Sequence, residues 1–143
     1  MRIMAIDYGD AHTGIAVSDP TGLLAGFTTT VNARNPESAC AQIALMAREH
    51  GAEELVLGLP LNMDGSRGPR AEKAEAMAEL LRQETGLPVA LWDERRTTID
   101  AHQILFNSGK NAKKRKKVVD AVAASLILEG YLTYRRSGGG SAR

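Results

Sequence analysis

At Asn35-Pro36 the sequence changes rhythm, and that change narrows the folds open to it. Before it come three short apolar segments separated by brief turns. Arg2 to Ile6 runs into Asp7-Tyr8-Gly9-Asp10. Gly14-Ile15-Ala16-Val17-Ser18 is closed by Asp19-Pro20-Thr21-Gly22, and Leu23 to Val31 carries Phe27 and a threonine run. Strands joined by turns this short form an antiparallel meander. After Asn35-Pro36, helical and extended segments alternate. Asn35 is an N-cap with proline at the first helical position, Ile43, Met46 and Ala47 have helical spacing, and Gly51 suits the C′ position. Leu55 to Gly58 reads as a buried strand. A helix over about 69–84 turns Ala74, Met77, Leu80 and Leu81 inward and stops at Gly86 and Pro88. Val89 to Trp92 is a fifth strand. Thr97 caps a helix reaching about Asn107, and a final helix covers about 114–134.

The order βββαβαβαα predicts an α/β fold. Its sheet has five strands and is mixed, three antiparallel and then two parallel, with helices on its faces. One domain over residues 1–136 is expected, with a disordered tail at 137–143. Apolar residues make up 43% and charged residues 24%, ordinary for a globular chain. No stretch approaches a membrane span. The start reaches Asp7 after too short an apolar run for a secretory signal. The lone Cys40 reads as a small buried helix residue, and a reducing cytoplasm is the expected compartment.

The formal net charge of +1 conceals a split. Residues 1–94 hold 7 Lys/Arg and 14 Asp/Glu, a net of −7, and residues 95–143 hold 11 and 3, a net of +8. Such asymmetry points to a polyanionic partner. The bases are densest at Lys110, Lys113, Lys114, Arg115, Lys116 and Lys117. Taken alone, the run also fits a solvated surface.

Several acids stand where apolar residues are expected. Asp7 ends the first strand, Asp93 and Glu94 end the fifth, and Asp120 interrupts Val118-Val119-Asp120-Ala121-Val122. A buried carboxylate needs a hydrogen bond, a cation or a metal. Parallel first and fifth strands open on one edge, where such sheets place their ligands. Ala121, Ala123, Ala124 and Ser125 let the last helix approach closely and carry Asp120 there. Converging carboxylates suit a hard divalent cation, Mg²⁺ or Mn²⁺, and two such ions about 3.5–4 Å apart hydrolyse phosphodiesters. Each acid also has a plain reading, as a turn, a cap or a partner of a nearby lysine.

The same residues resemble a known family. Asp7-Tyr8-Gly9 with Gly14 to Asp19, Gly58-Leu59-Pro60 through Pro69, Asp93-Glu94-Arg95 with Thr97-Thr98, and Lys114 to Lys117 with Asp120 look like its four blocks, in order. The family is YqgF/RuvX, bacterial nucleases associated with Holliday junction resolution and pre-16S rRNA processing. The resemblance implies an RNase H-like fold and a metal-binding catalytic triad at Asp7, Glu94 and Asp120. It gives Arg95 a phosphate contact or a supporting role beside Glu94. Ala11 and His12 replace a basic pair common in the first block, although His12 can still approach a phosphate. The loop from Asn62 to Arg70 offers donors at Asn62, Ser66, Arg67 and Arg70, and glycines that admit a phosphate.

The expected function is metal-dependent cleavage of structured nucleic acid, precursor 16S rRNA first and a DNA junction second. The enzyme would be a monomer or a homodimer. A non-catalytic nucleic-acid-binding module would use the basic run and leave the acids idle. A nucleotide-clamping kinase fragment would use the Asp7-Tyr8-Gly9 loop, but 143 residues are too few for a two-domain clamp.

Overall fold

The computed structural model describes residues 1–21, 25–96 and 112–137, and for Ala25, Arg96 and residues 112–120 the backbone alone. The strands are β1 (Ile3–Asp7), β2 (His12–Ser18), β3 (Ala25–Asn32), β4 (Glu54–Leu59) and β5 (Val89–Asp93). The helices are α1 (Pro36–Glu49), α2 (Pro69–Thr85) and α3 (Ala112–Arg136), with a 3₁₀ turn at Glu94–Arg96. The sheet runs β3-β2-β1-β4-β5. β1 pairs antiparallel with β2 and parallel with β4, and β4 pairs parallel with β5. This is the mixed sheet that the change of rhythm predicts. The helix expected from Thr97 to Asn107, Lys110 and most of the tail lie outside the described residues.

β1 is the central strand and is covered on both faces. Met4 and Ile6 belong to the core under α1 and α2, with Ile43, Leu55, Leu57, Met77 and Leu81. Ile3 and Ala5 belong to the core under α3, with Ala16, Val56, Trp92, Ala124 and Ile127. The period of two along the strand produces this division. α1 starts as its sequence dictates, with the Ser38 amide donating to Asn35 Oδ1 at 2.7 Å. Cys40 is buried on it.

One expectation needs correction. Leu80 is exposed rather than inward, because the buried stripe of α2 is Ala71, Ala74, Met77, Ala78 and Leu81. Leu80 lies to one side of that stripe, and Ala78 takes the inward place. The last helix begins at Ala112, close to the expected start, and Lys113 to Lys117 form its opening turns.

α3 is held to the sheet at two points. Gly130 sits against Trp92, and a Cβ there would meet the indole Cζ2 at 3.0 Å. A glycine inside a helix costs about 1 kcal/mol against alanine, and here the close approach of the indole explains it. At the start of β4, Glu54 is buried and accepts hydrogen bonds from the Tyr131 hydroxyl and the Arg135 guanidinium. Among the described residues no helix is long and apolar enough to cross a membrane.

Candidate active site

The parallel arrangement of β1, β4 and β5 brings the ends of β1 and β5 to one edge of the sheet. Asp7 is the last residue of β1, and Glu94 follows the last residue of β5. Between them lies β4, with Gly58 paired to Trp92 and Leu59 to Asp93. Glu94 spans this strand to hydrogen-bond with Asp7. The space it crosses exists because residue 58 is glycine. A Cβ there would lie 2.7 Å from both Cδ and Oε1 of Glu94.

The pair has an electrostatic signature. Burial, the hydrogen bond to Glu94 and the Glu94 charge push the Asp7 carboxyl up to about 9, against some relief from Arg70. Two carboxyl groups thus meet with too little compensating positive charge for both to ionise. The two groups offer only oxygen donors, which suit a hard divalent cation. Among the described residues no three His, Cys, Asp or Glu side chains converge as a metal-binding group. The third candidate, Asp120, lies in α3 four residues before the fully buried Ala124, and its side chain is outside the description.

Arg95 turns to Asp93. Its Nη2 donates to Asp93 Oδ2 at 2.7 Å, its Nε at 3.0 Å, and its backbone amide to Asp93 Oδ1 at 3.0 Å. Its Nη1 donates to the Met63 carbonyl at 3.3 Å, so the same side chain ties the 62–70 loop to the end of β5. Asp93 is therefore the neighbour that anchors this arginine.

The loop is folded on itself. The Asn62 amide group donates to Ser66 Oγ at 2.9 Å, and Ser66 donates to Asp64 Oδ1 from both Oγ (2.6 Å) and its backbone amide (2.9 Å). These bonds hold the Asp64 carboxyl below its ordinary value. Gly65 turns the chain at φ +88°, a conformation that favours glycine. Arg67 Nε donates to Glu75 Oε1 at 2.8 Å. Asn62, Ser66 and Arg67 therefore have partners within the loop and α2, whereas Arg70 acts electrostatically on Asp7.

A cleft of about 300 Å³ opens between the β1–β2 turn, which follows Asp7, and the start of α2. His12 lies on the turn side with Nδ1 2.7 Å from Asn32 Oδ1, and Arg70 and Lys73 lie on the helix side. Sequence reasoning did not assign roles to Gly58, Asp10 or Lys73. The signal for Lys73 was its spacing from Arg70, three residues, which puts both on one helix face. No local signal announces Gly58, whose role depends on a residue from another strand.

A family model described as "RuvX: Holliday junction resolvase" matches residues 1–134. A protein of Halothermothrix orenii named "Putative pre-16S rRNA nuclease" is 43% identical over 135 residues, covering 94% of this chain and 96% of its own. One of Moorella thermoacetica with the same name is 46% identical over 132 residues, covering 92% and 94%. Among solved structures, Thermus thermophilus RuvC in complex with a Holliday junction substrate superposes with a TM-score of 0.64. Its identity is 15%, with 100% and 99% of the two chains covered, so that likeness establishes the fold. With one family model spanning nearly the whole chain and relatives this similar along their full length, the chain belongs to the RuvX family and is a nuclease, a hydrolase of phosphodiester bonds.

Proposed function

We propose that this nuclease depends on a divalent metal, Mg²⁺ or Mn²⁺, held by Asp7, Glu94 and Asp120, and that it processes the 5′ end of precursor 16S rRNA in the cytoplasm. The observation that carries the reading is the half-buried carboxyl of Asp7 pressed against Glu94 at the end of parallel strands. Without a cation, one proton must neutralise the pair. With one, both carboxylates can ionise and bind it. Helical periodicity puts position 120 on the same face as Ala124, which packs in the core containing Ala5. That supports Asp120 as the third ligand, on the face of the sheet that Asp7 shares with Ile3 and Ala5.

Held by Asp7, Glu94 and Asp120, such ions would supply activation of a water and stabilisation of the leaving oxygen. The chain's own residues position the substrate. Lys110 and Lys113 to Lys117 attract the phosphate backbone without reading its sequence. Asn62, Ser66, Arg67 and Arg70 supply donors around a preformed loop, and Arg95 fixes that loop relative to Glu94. His12 adds a donor across the cleft.

The names of the relatives at 43% and 46% identity support the rRNA substrate. The description of the matching family favours a second one, a four-way DNA junction. A single RNA end needs only a monomer, whereas two symmetric cuts in a junction need a dimer. The test offers both substrates to the purified protein with Mn²⁺, beside Asp7→Asn and Asp120→Asn. Cleavage of the precursor RNA by wild type and by neither variant is expected. A cut that survives in Asp120→Asn overturns the three-ligand assignment.

A further inference from the structure

We propose that the cleft between the β1–β2 turn and α2 is a phosphate subsite for the substrate strand, in which the Asp10 carboxylate stands in for the phosphate until the strand arrives. The inference rests on the reading of this chain as a nucleic-acid enzyme, and it adds a site beside the carboxylate centre.

Three observations carry it. The first is the charge of the walls. Lys73 Nζ lies 3.0 Å from Asp10 Oδ1, and Arg70 makes no ion pair among the described residues. Apart from Asp10, the charged side chains lining this cleft are cationic, Arg70 and Lys73, and His12 adds an imidazole. The second is the exposure of the ion pair, 58% for the Lys73 side chain and 81% for Asp10. So exposed a pair gains little from its contact, and Lys73 can exchange one anionic oxygen for another at small cost. A phosphate oxygen accepts from an ammonium group much as a carboxylate oxygen does.

The third is the shape of the cleft. Its volume, about 300 Å³, suits a small group rather than a duplex. The turn side is lined closely by main chain. At Gly9 a Cβ would lie 2.4 Å from the His12 carbonyl oxygen, so the turn closes only with glycine there, and Ala11 adds a single methyl. Arg70 belongs to the cleft and also acts on Asp7. A strand crossing the sheet edge can therefore present one phosphate to the carboxylates and a neighbouring phosphate to Lys73. The chemistry recognised is a phosphate oxygen, from an internal phosphodiester or a terminal phosphate.

The experiment measures binding of a single-stranded RNA dodecamer, labelled at its 3′ end, by fluorescence anisotropy in EDTA over a range of salt. Wild type is compared with Lys73→Met, Asp10→Asn and Arg48→Met, all surface changes whose folding is checked by thermal melting. Arg48 is an exposed residue near the end of α1, where the His50 carbonyl accepts from Arg2 just before β1, away from Asp7, and it serves as the charge-matched control. Lys73→Met should weaken binding several-fold and lower the log–log salt slope by about 0.7, the value for one contact to a single strand. Asp10→Asn should tighten binding, and Arg48→Met should leave the slope unchanged. Equal effects of Lys73→Met and Arg48→Met, or no tightening in Asp10→Asn, overturn the proposal. Dodecamers with a 5′-hydroxyl and a 5′-phosphate separate the two sources. Equal losses in Lys73→Met point to an internal phosphodiester, and a loss confined to the phosphorylated strand points to a terminal one. With metal excluded, the subsite can fail while the carboxylate centre stands, and the reverse.

Discussion

Glu94 lies over the α-carbon of Gly58, so close that a methyl group there would sit 2.7 Å from its carboxyl carbon. That contact determines whether the carboxyl can meet Asp7 across β4. The obstructed atoms are the far end of a flexible side chain, so the fold can absorb a methyl by moving Glu94 aside.

Gly58→Ala should therefore separate activity from stability. Misplacing a catalytic group by an ångström costs about 100-fold in rate, and a loss of that order in Mn²⁺-dependent cleavage is expected. The melting temperature should change little. A variant that cleaves normally would show that Glu94 does not need its place over residue 58.

Asp7→Asn should abolish cleavage and stabilise the metal-free protein at neutral and alkaline pH. The folded-state carboxyl is raised from 3.8 to about 9, by burial first and then by Glu94. A raised carboxyl contributes its full stability below its unfolded value, and that contribution is lost as pH rises toward the folded one. In EDTA, wild type should lose stability between about pH 4 and pH 9. The Asn variant should lack this decline and melt roughly 5 °C higher at pH 8. Melting curves across pH test the sign directly.

Metal binding should release a proton. At pH 7 the Asp7–Glu94 pair retains one that a cation must displace. Calorimetric titration with Mn²⁺ in buffers of different ionisation enthalpy should show about one proton released, and affinity rising with pH. Titrations with no buffer dependence would remove Asp7 from the ligand set.

Arg135→Met should weaken the fold without touching the chemistry. Glu54 is buried at the start of β4, the end of that strand away from Asp7, and holds Tyr131 and Arg135 of α3. Removing one partner of a buried pair costs about 3–5 kcal/mol. Arg135 keeps 26% of its side chain exposed, so about 2 kcal/mol is expected from urea unfolding. Cleavage at saturating metal should be retained.

Replacing Lys113, Lys114, Lys116 and Lys117 with glutamine should weaken RNA binding and flatten its salt dependence, because each lost phosphate contact removes about 0.7 from the slope for a single strand. The fold should persist, since α3 is anchored further along at Ala124, Ile127, Leu128 and Tyr131.

Much of the architecture could be read along the chain. The turns after Asp7 and Ser18 imply the meander, Asn35-Pro36 starts α1, and the later alternation implies parallel strands. These features depend on period, capping and turn chemistry, which act within a few residues. The same locality put Asp7 and Glu94 at strand ends on a common edge. Tertiary structure alone decided what those ends do. Glu94 reaches Asp7 because β4 offers Gly58 in register beneath it. Leu80 turns outward because the helix stripe is set by the sheet it covers. Lys73 meets Asp10 across 63 positions, and Tyr131 meets Glu54 across 77. Such pairings depend on strand order and on how each helix is rotated against the sheet. No short window of sequence contains both partners, so only the folded chain could join the two carboxylates and the cations beside them.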